Sequence, residues 1–246
     1  MVRAALLVFI SLLMFACHAS LDVPTAAGLQ ALPAPGAAVG LPEAASAACR
    51  PAVAGEVLLN EYLVRPGGLD IDGDGKSNGR DEVLELTLTT GSEPVHLGGA
   101  QLLVDGQVRG QVTGQVCVDP RQLIVLVSST AALTAWPEGA IELRLDHLLK
   151  LPDGGASLEL RTADNQLLFR HQYAPENGGA ASSWTRAVDG DGASAWTRQL
   201  DLPAGNGRAA TIGFCNTGAP ACACLASQGM DCGESGDVTG TTGGAR

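Results

Sequence analysis

Apolar and polar residues alternate along this chain with the period of strands, not helices. Glu56 to Val64 (E-V-L-L-N-E-Y-L-V) reads as a strand. Glu82 to Thr89 alternates cleanly, with Leu84, Leu86 and Leu88 on one face and Glu85, Thr87 and Thr89 on the other. That predicts a half-buried strand whose polar face meets water. Gln122 to Val127 (Q-L-I-V-L-V) is a continuous apolar run and predicts a strand buried on both faces. Gln101 to Val108 carries Asp105-Gly106 between apolar flanks, a two-residue hairpin signal. Ala140 to Leu145 is another alternating segment, and Ser157 to Thr162 and Gln166 to Tyr173 flank a turn at Ala163-Asp164-Asn165. No segment beyond the amino terminus has helical period, although Ser129 to Ala135 suits a single turn. Short strands at this spacing predict an all-β sandwich.

The flanks differ. Met1-Val2-Arg3 precedes an apolar run, Ala4 to Ala16, too short for a bilayer-spanning helix of about 20 residues. It suits the apolar core of a secretory signal. The run ends in L-M-F-A-C, which resembles a lipoprotein signal over residues 1–16, with lipid carried by Cys17. Met14 and Phe15 depart from the usual residues of that motif. The alternatives are an ordinary signal peptide cut near Ala19, giving a secreted protein, and a retained anchor. His18 after the lipidated position suggests the bacterial outer membrane, with acyl chains as the membrane attachment. Residues 17–54 are rich in Ala, Pro and Gly and suit a semi-extended tether; ordered coil docked by Cys49 is the lesser alternative. The sandwich is expected over residues 55–215. A Cys-containing tail, 216–246, lacks apolar periodicity and is expected to be largely disordered.

Composition narrows the function classes. The 246 residues are 46% hydrophobic with 32 Gly and 13 Pro, enough for a core and many turns. The formal charge of −11, without any basic run, argues against nucleic acid as a partner, because that affinity rests on Lys and Arg neutralising phosphates. With Cys17 assigned to lipid, Cys49, Cys117, Cys215, Cys222, Cys224 and Cys232 are disulfide candidates in an oxidising compartment. Cys49 with Cys117, and the last four among themselves, is the expected pairing; a metal site on Cys222 and Cys224 is the alternative.

Several segments together resemble the lamin-tail domain. Gly55-Glu56-Val57-Leu58-Leu59-Asn60-Glu61 is similar to its first strand with an I-N-E-like motif, and Asp81-Glu82-Val83-Leu84-Glu85-Leu86 to its second. Val95 to Gly99 resembles its V-D-L-S-G-W turn, Leu151 to Leu158 its N-x-G-D-S-L motif, and Ser183-Trp184-Thr185-Arg186 its S-W-x-R motif. Ala100 and Thr87-Leu88 depart from the family pattern. The resemblance implies an immunoglobulin-like sandwich that binds other proteins and carries no catalytic residues.

The stretch from Asp70 to Asp81 (D-I-D-G-D-G-K-S-N-G-R-D) reads as a twelve-residue calcium loop. Asp70, Asp72 and Asp74 take positions 1, 3 and 5, and Gly75 the sixth. Lys76 offers its carbonyl at position 7, Asn78 stands at 9, and Asp81 replaces the usual Glu at 12, with Glu82 as a substitute. Calcium takes six to eight oxygens at about 2.3–2.6 Å, which alternating carboxylates of a tight loop can supply. The flanks read as strands, so the loop resembles dockerin-type loops in a β setting, with a structural ion. A solvated acidic turn is the plain alternative. Asp189-Gly190-Asp191-Gly192 is half such a loop and is expected to be a turn.

His18, His96, His147 and His171 form no zinc-protease pattern, and serine elbows and phosphate loops are absent. Trp136, Trp184 and Trp196 suit packing, or else a carbohydrate groove. The expectation is a non-enzymatic surface lipoprotein whose calcium-stabilised sandwich binds an extracellular or envelope protein. A carbohydrate- or envelope-polymer-binding module is second, and a metal-dependent enzyme third.

Overall fold

The chain is apolar where strands form and Gly- or Asp-rich where they turn, and the computed structural model follows that division. It describes residues 49–89, 93–114, 116–120, 122–131, 136–137, 139–175 and 181–220. The strands are β1 (Arg50–Pro51), β2 (Val57–Leu63), β3 (Val83–Leu88), β4 (Val95–His96), β5 (Gln101–Val104), β6 (Gln107–Gln111) and β7 (Cys117–Val118), then β8 (Leu123–Val127), β9 (Ala140–Arg144), β10 (Ala156–Arg161), β11 (Leu167–Tyr173), β12 (Trp184–Arg186) and β13 (Trp196–Arg198). Helical structure among the described residues is limited to 3-10 turns at Gln199–Asp201 and Pro203–Gly205.

A six-stranded sheet runs β13-β12-β2-β3-β8-β9, and a four-stranded sheet runs β11-β10-β5-β6. Leu59, Leu84, Leu86, Ile124 and Leu126 of the first sheet share one apolar core with Leu102, Val104, Leu158, Leu160 and Phe169 of the second. The expected all-β sandwich is therefore present. Asp105 (φ 50°) and Gly106 (φ 74°) both take the left-handed conformation that a tight β5–β6 hairpin requires. Asn165 (φ 65°) turns β10 into β11, as its sequence foretells. The β8–β9 pair is parallel, so these two strands are not joined as a hairpin.

Strand β8 is buried on both faces, as its unbroken apolar run requires: Ile124 and Leu126 enter the main core, while Val125 and Val127 join Leu63, Val83 and Ile212 in a second cluster. Strand β3 corrects the sequence reading. Leu84, Leu86 and Leu88 face inward, but Glu85 and Thr87 are also fully buried. The polar face does not meet water because residues 209–216 lie across β2 and β3.

The ends are corrected as well. The tether expected through residue 54 gives way to structure at Cys49, which is bonded to Cys117. Arg50 and Pro51 pair in parallel with Val95 and His96 in a small β1-β4-β7 sheet, and Ala52 enters the core. At the other end Asn216, placed in the expected tail, is buried. Cys17, Cys222, Cys224, Cys232 and most of the turn at Ser129 to Ala135 lie outside the described residues. Cys215 is disulfide-bonded, with its partner also outside them.

Candidate functional site

The acidic loop joins β2 to β3. Short Asp and Asn side chains bond amides a few residues ahead, which is why such sequences close into turns. Here Asp72 Oδ1 accepts from the Asp74 amide at 3.1 Å, Asp74 Oδ1 from Lys76 at 2.8 Å, and Asn78 Oδ1 from Arg80 at 3.0 Å. Asp70 Oδ2 reaches the Gly75 amide at 2.9 Å. Gly75 has φ 83°, which an L side chain would resist. These bonds bring ligand oxygens of Asp70, Asp72 and Asp74 within 4.8 Å of one another.

The remaining expected ligands are placed differently. Asp81 lies outside that group of three, and its carboxylate ties the loop ends together. Its Oδ1 accepts from the amides of Ile71 (2.7 Å) and Asp72 (3.2 Å), and its Oδ2 from Asn78 (2.8 Å). Glu82 Oε2 accepts from the Leu151 amide at 2.9 Å, on the β9–β10 connection. Burial pushes the Glu82 carboxyl up to about 7. The Lys76 side chain is exposed, and the Arg80 guanidinium stands 3.5 Å from the Asp74 carboxylate. The three converging carboxylates are hard oxygen donors.

A second acidic group is hidden in the fold. Glu61 and Glu85 face each other across β2 and β3, both wholly buried. Glu61 accepts from the Ser183 hydroxyl, the Thr211 amide (3.0 Å) and the Thr211 hydroxyl (2.8 Å). Glu85 accepts from Asn60 Nδ2 (2.7 Å) and the Gly213 amide (2.6 Å). Asp189 accepts from Asn60 Nδ2 (3.1 Å) and the Asn216 amide (2.9 Å), so the expected plain turn at 189–192 is part of this frame. Burial raises all three carboxyls above the ordinary range, and the Glu61 charge adds to the rise at Glu85.

No protein-family model matches the chain, and no curated protein matches it.

The frame draws on residues that carried the family resemblance: Asn60 and Glu61, Glu85, and Ser183 and Thr185, the last bonded to Asn216 Oδ1 at 2.7 Å. Their joint role was not foreseen. The available signal was an Asn-Glu pair interrupting an apolar strand, since a charge inside such a run needs buried partners.

The tryptophans pack. Trp184 and Trp196 lie half-buried against the main core, with the Arg186 guanidinium 4.4 Å from the Trp196 ring centre. Trp136 sits on the second cluster and donates to Glu142 at 2.7 Å. His171 packs at a tilt against both Tyr62 and Trp196, and burial lowers its pKa to about 4. No helix among the described residues is long and apolar enough to cross a membrane.

Proposed function

We propose that this chain is an exported lipoprotein, attached to the bacterial outer membrane through Cys17. Its lamin-tail-like sandwich would serve as a calcium-stabilised adhesion or scaffolding module for an extracellular or envelope protein. The observation that carries the calcium reading is the convergence of Asp70, Asp72 and Asp74 within 4.8 Å, each oriented through one oxygen by a loop amide. Carboxylates held so close repel one another unless a cation sits between them. The long β2–β3 connection has few apolar anchors beyond Leu69 and Ile71, so an ion would supply its missing core. The family reading is supported by the way its motif residues bond one another in the buried frame. The packing of Trp184 and Trp196 weighs against a carbohydrate platform.

The test is a thermal melt of the exported chain, stripped with chelator and then titrated with Ca²⁺. An ion that binds only the folded state adds about 2.7 kcal/mol at 100 times its Kd. For a domain of this size that corresponds to roughly 5–10 °C. The shift is expected to vanish in the Asp72→Ala, Asp74→Ala double variant. No shift with either Ca²⁺ or Mg²⁺ would reduce the loop to a self-bonded turn.

A further inference from the structure

A cavity of about 330 Å³ opens between β6 and the connection that follows β9. Its walls include Val108 and Arg109 of β6, and Asp146, His147, Leu148 and Lys150 of the connection. In a chain of charge −11 with two lysines, one lysine and an arginine meet here.

The backbone around the cavity is fixed. Val112 bridges to Leu145, the Asp146 amide donates to Gln111 O at 2.9 Å, and the Ser129 amide donates to His147 O at 3.1 Å. Gly110 lets β6 approach closely: a Cβ there would stand 3.0 Å from Asp146 Oδ1 and 3.1 Å from the Leu145 Cβ. The one acid in the lining is already engaged. Asp146 Oδ1 accepts from the Gln111 amide and from His147 Nδ1, both at 2.8 Å. The Arg109 Nε is buried and has no hydrogen-bond partner among the described residues. Such a donor is costly to leave unmet.

Lys150 adds an independent sign. Its φ is 48°, a conformation that glycine accepts and a Cβ resists. The next amide, of Leu151, thereby bonds Glu82. Glycine would serve that turn at less steric cost, yet a long cationic side chain stands there at the cavity wall. Backbone strain of this kind collects at ligand sites.

We propose that this cavity binds a small carboxylate-bearing ligand with a short apolar body. The Arg109 guanidinium offers a planar fork suited to a carboxylate, Lys150 adds a point charge, and Val108 and Leu148 cover the apolar part. Val108 is 57% exposed, which apolar contact with a ligand would relieve. None of the lining residues belongs to the acidic loop.

The test is calorimetric titration of the exported chain with hexanoate, hexanol and inorganic phosphate. Saturable hexanoate binding with Kd of about 1 mM or tighter is expected, with hexanol and phosphate each at least about tenfold weaker. Arg109→Gln and Lys150→Gly are each expected to weaken hexanoate about tenfold or more. Lys150→Gly also relieves the backbone, so its melting temperature is expected to stay level or rise, separating lost binding from lost folding. Absence of saturable heat with hexanoate, equal binding of hexanol, equal binding of phosphate, or full binding by both variants would overturn the proposal.

Discussion

Glu85 meets Asn60 and Gly213 instead of water, and this changes how the protein responds to pH. Its folded pKa lies well above its ordinary value because burial and the Glu61 charge disfavour ionisation. Between the ordinary and the folded value, the folded chain holds a proton that the unfolded chain has released. Stability from this group is therefore full at low pH and falls as pH rises through the folded pKa. His171 acts in the opposite sense, with a folded pKa of about 4 against an ordinary 6.5. Its contribution is full above 6.5 and is lost as pH falls toward 4. Above pH 6.5 the carboxylate slope thus runs unopposed by His171. Glu85→Gln keeps the shape and removes the charge, but sets an amide N–H against a donor. A cost of about 1–3 kcal/mol is expected at pH 5, shrinking by pH 8. Urea midpoints across that range measure it, and a variant that parallels the wild type at every pH would refute the assignment.

Among the elements, the segment 209–216 explains most of what the sequence concealed. The apolar run of β8 announces its double burial, and the Asp105-Gly106 hairpin and the Asn165 turn are legible from residue type alone. The alternation of β3 is also real, but its polar face is covered by a segment with almost no apolar periodicity. A polar cover attached by hydrogen bonds leaves no trace in a hydrophobic pattern. The two-residue strands β1, β4 and β7 are too short to carry any period. In the acidic loop, Asp70, Asp72 and Asp74 were legible because their spacing is local. The role of Asp81 as a bracket on three amides, and the bond from Glu82 to Leu151, depend on contacts that spacing does not encode. Thr211→Val tests the cover directly. It removes the hydroxyl donor to Glu61 Oε2 and leaves the amide, at an expected cost of about 1–3 kcal/mol. Hydrogen exchange at the amides of Thr211, Gly213 and Asn216 is expected to quicken more than in β8. Uniform quickening throughout the sheet would mean that the segment is not a separable element.

At the scale of the whole molecule, the Cys49–Cys117 bond closes a loop with a sequence separation of 68. It secures the small β1-β4-β7 sheet, whose strands have two residues each. By the chain-entropy account, such a crosslink is worth about 4 kcal/mol through the unfolded state. The Cys49→Ala, Cys117→Ala double variant is expected to lose about that much in denaturant unfolding. A loss near zero would indicate that the crosslink contributes little to global stability.

The position of this bond also sets a path for mechanical load. Tension arriving along the chain ahead of Cys49 divides at that residue, part entering β1 and part crossing the sulfurs directly to β7. The residues between the two cysteines, which include β2, β3 and the acidic loop, then lie on a closed branch that cannot be drawn out in series. Each residue kept from extending saves roughly 3.3–3.6 Å of reach. A module pulled from its amino-terminal side would in this way hold its β2–β3 pair and the intervening loop off the line of force.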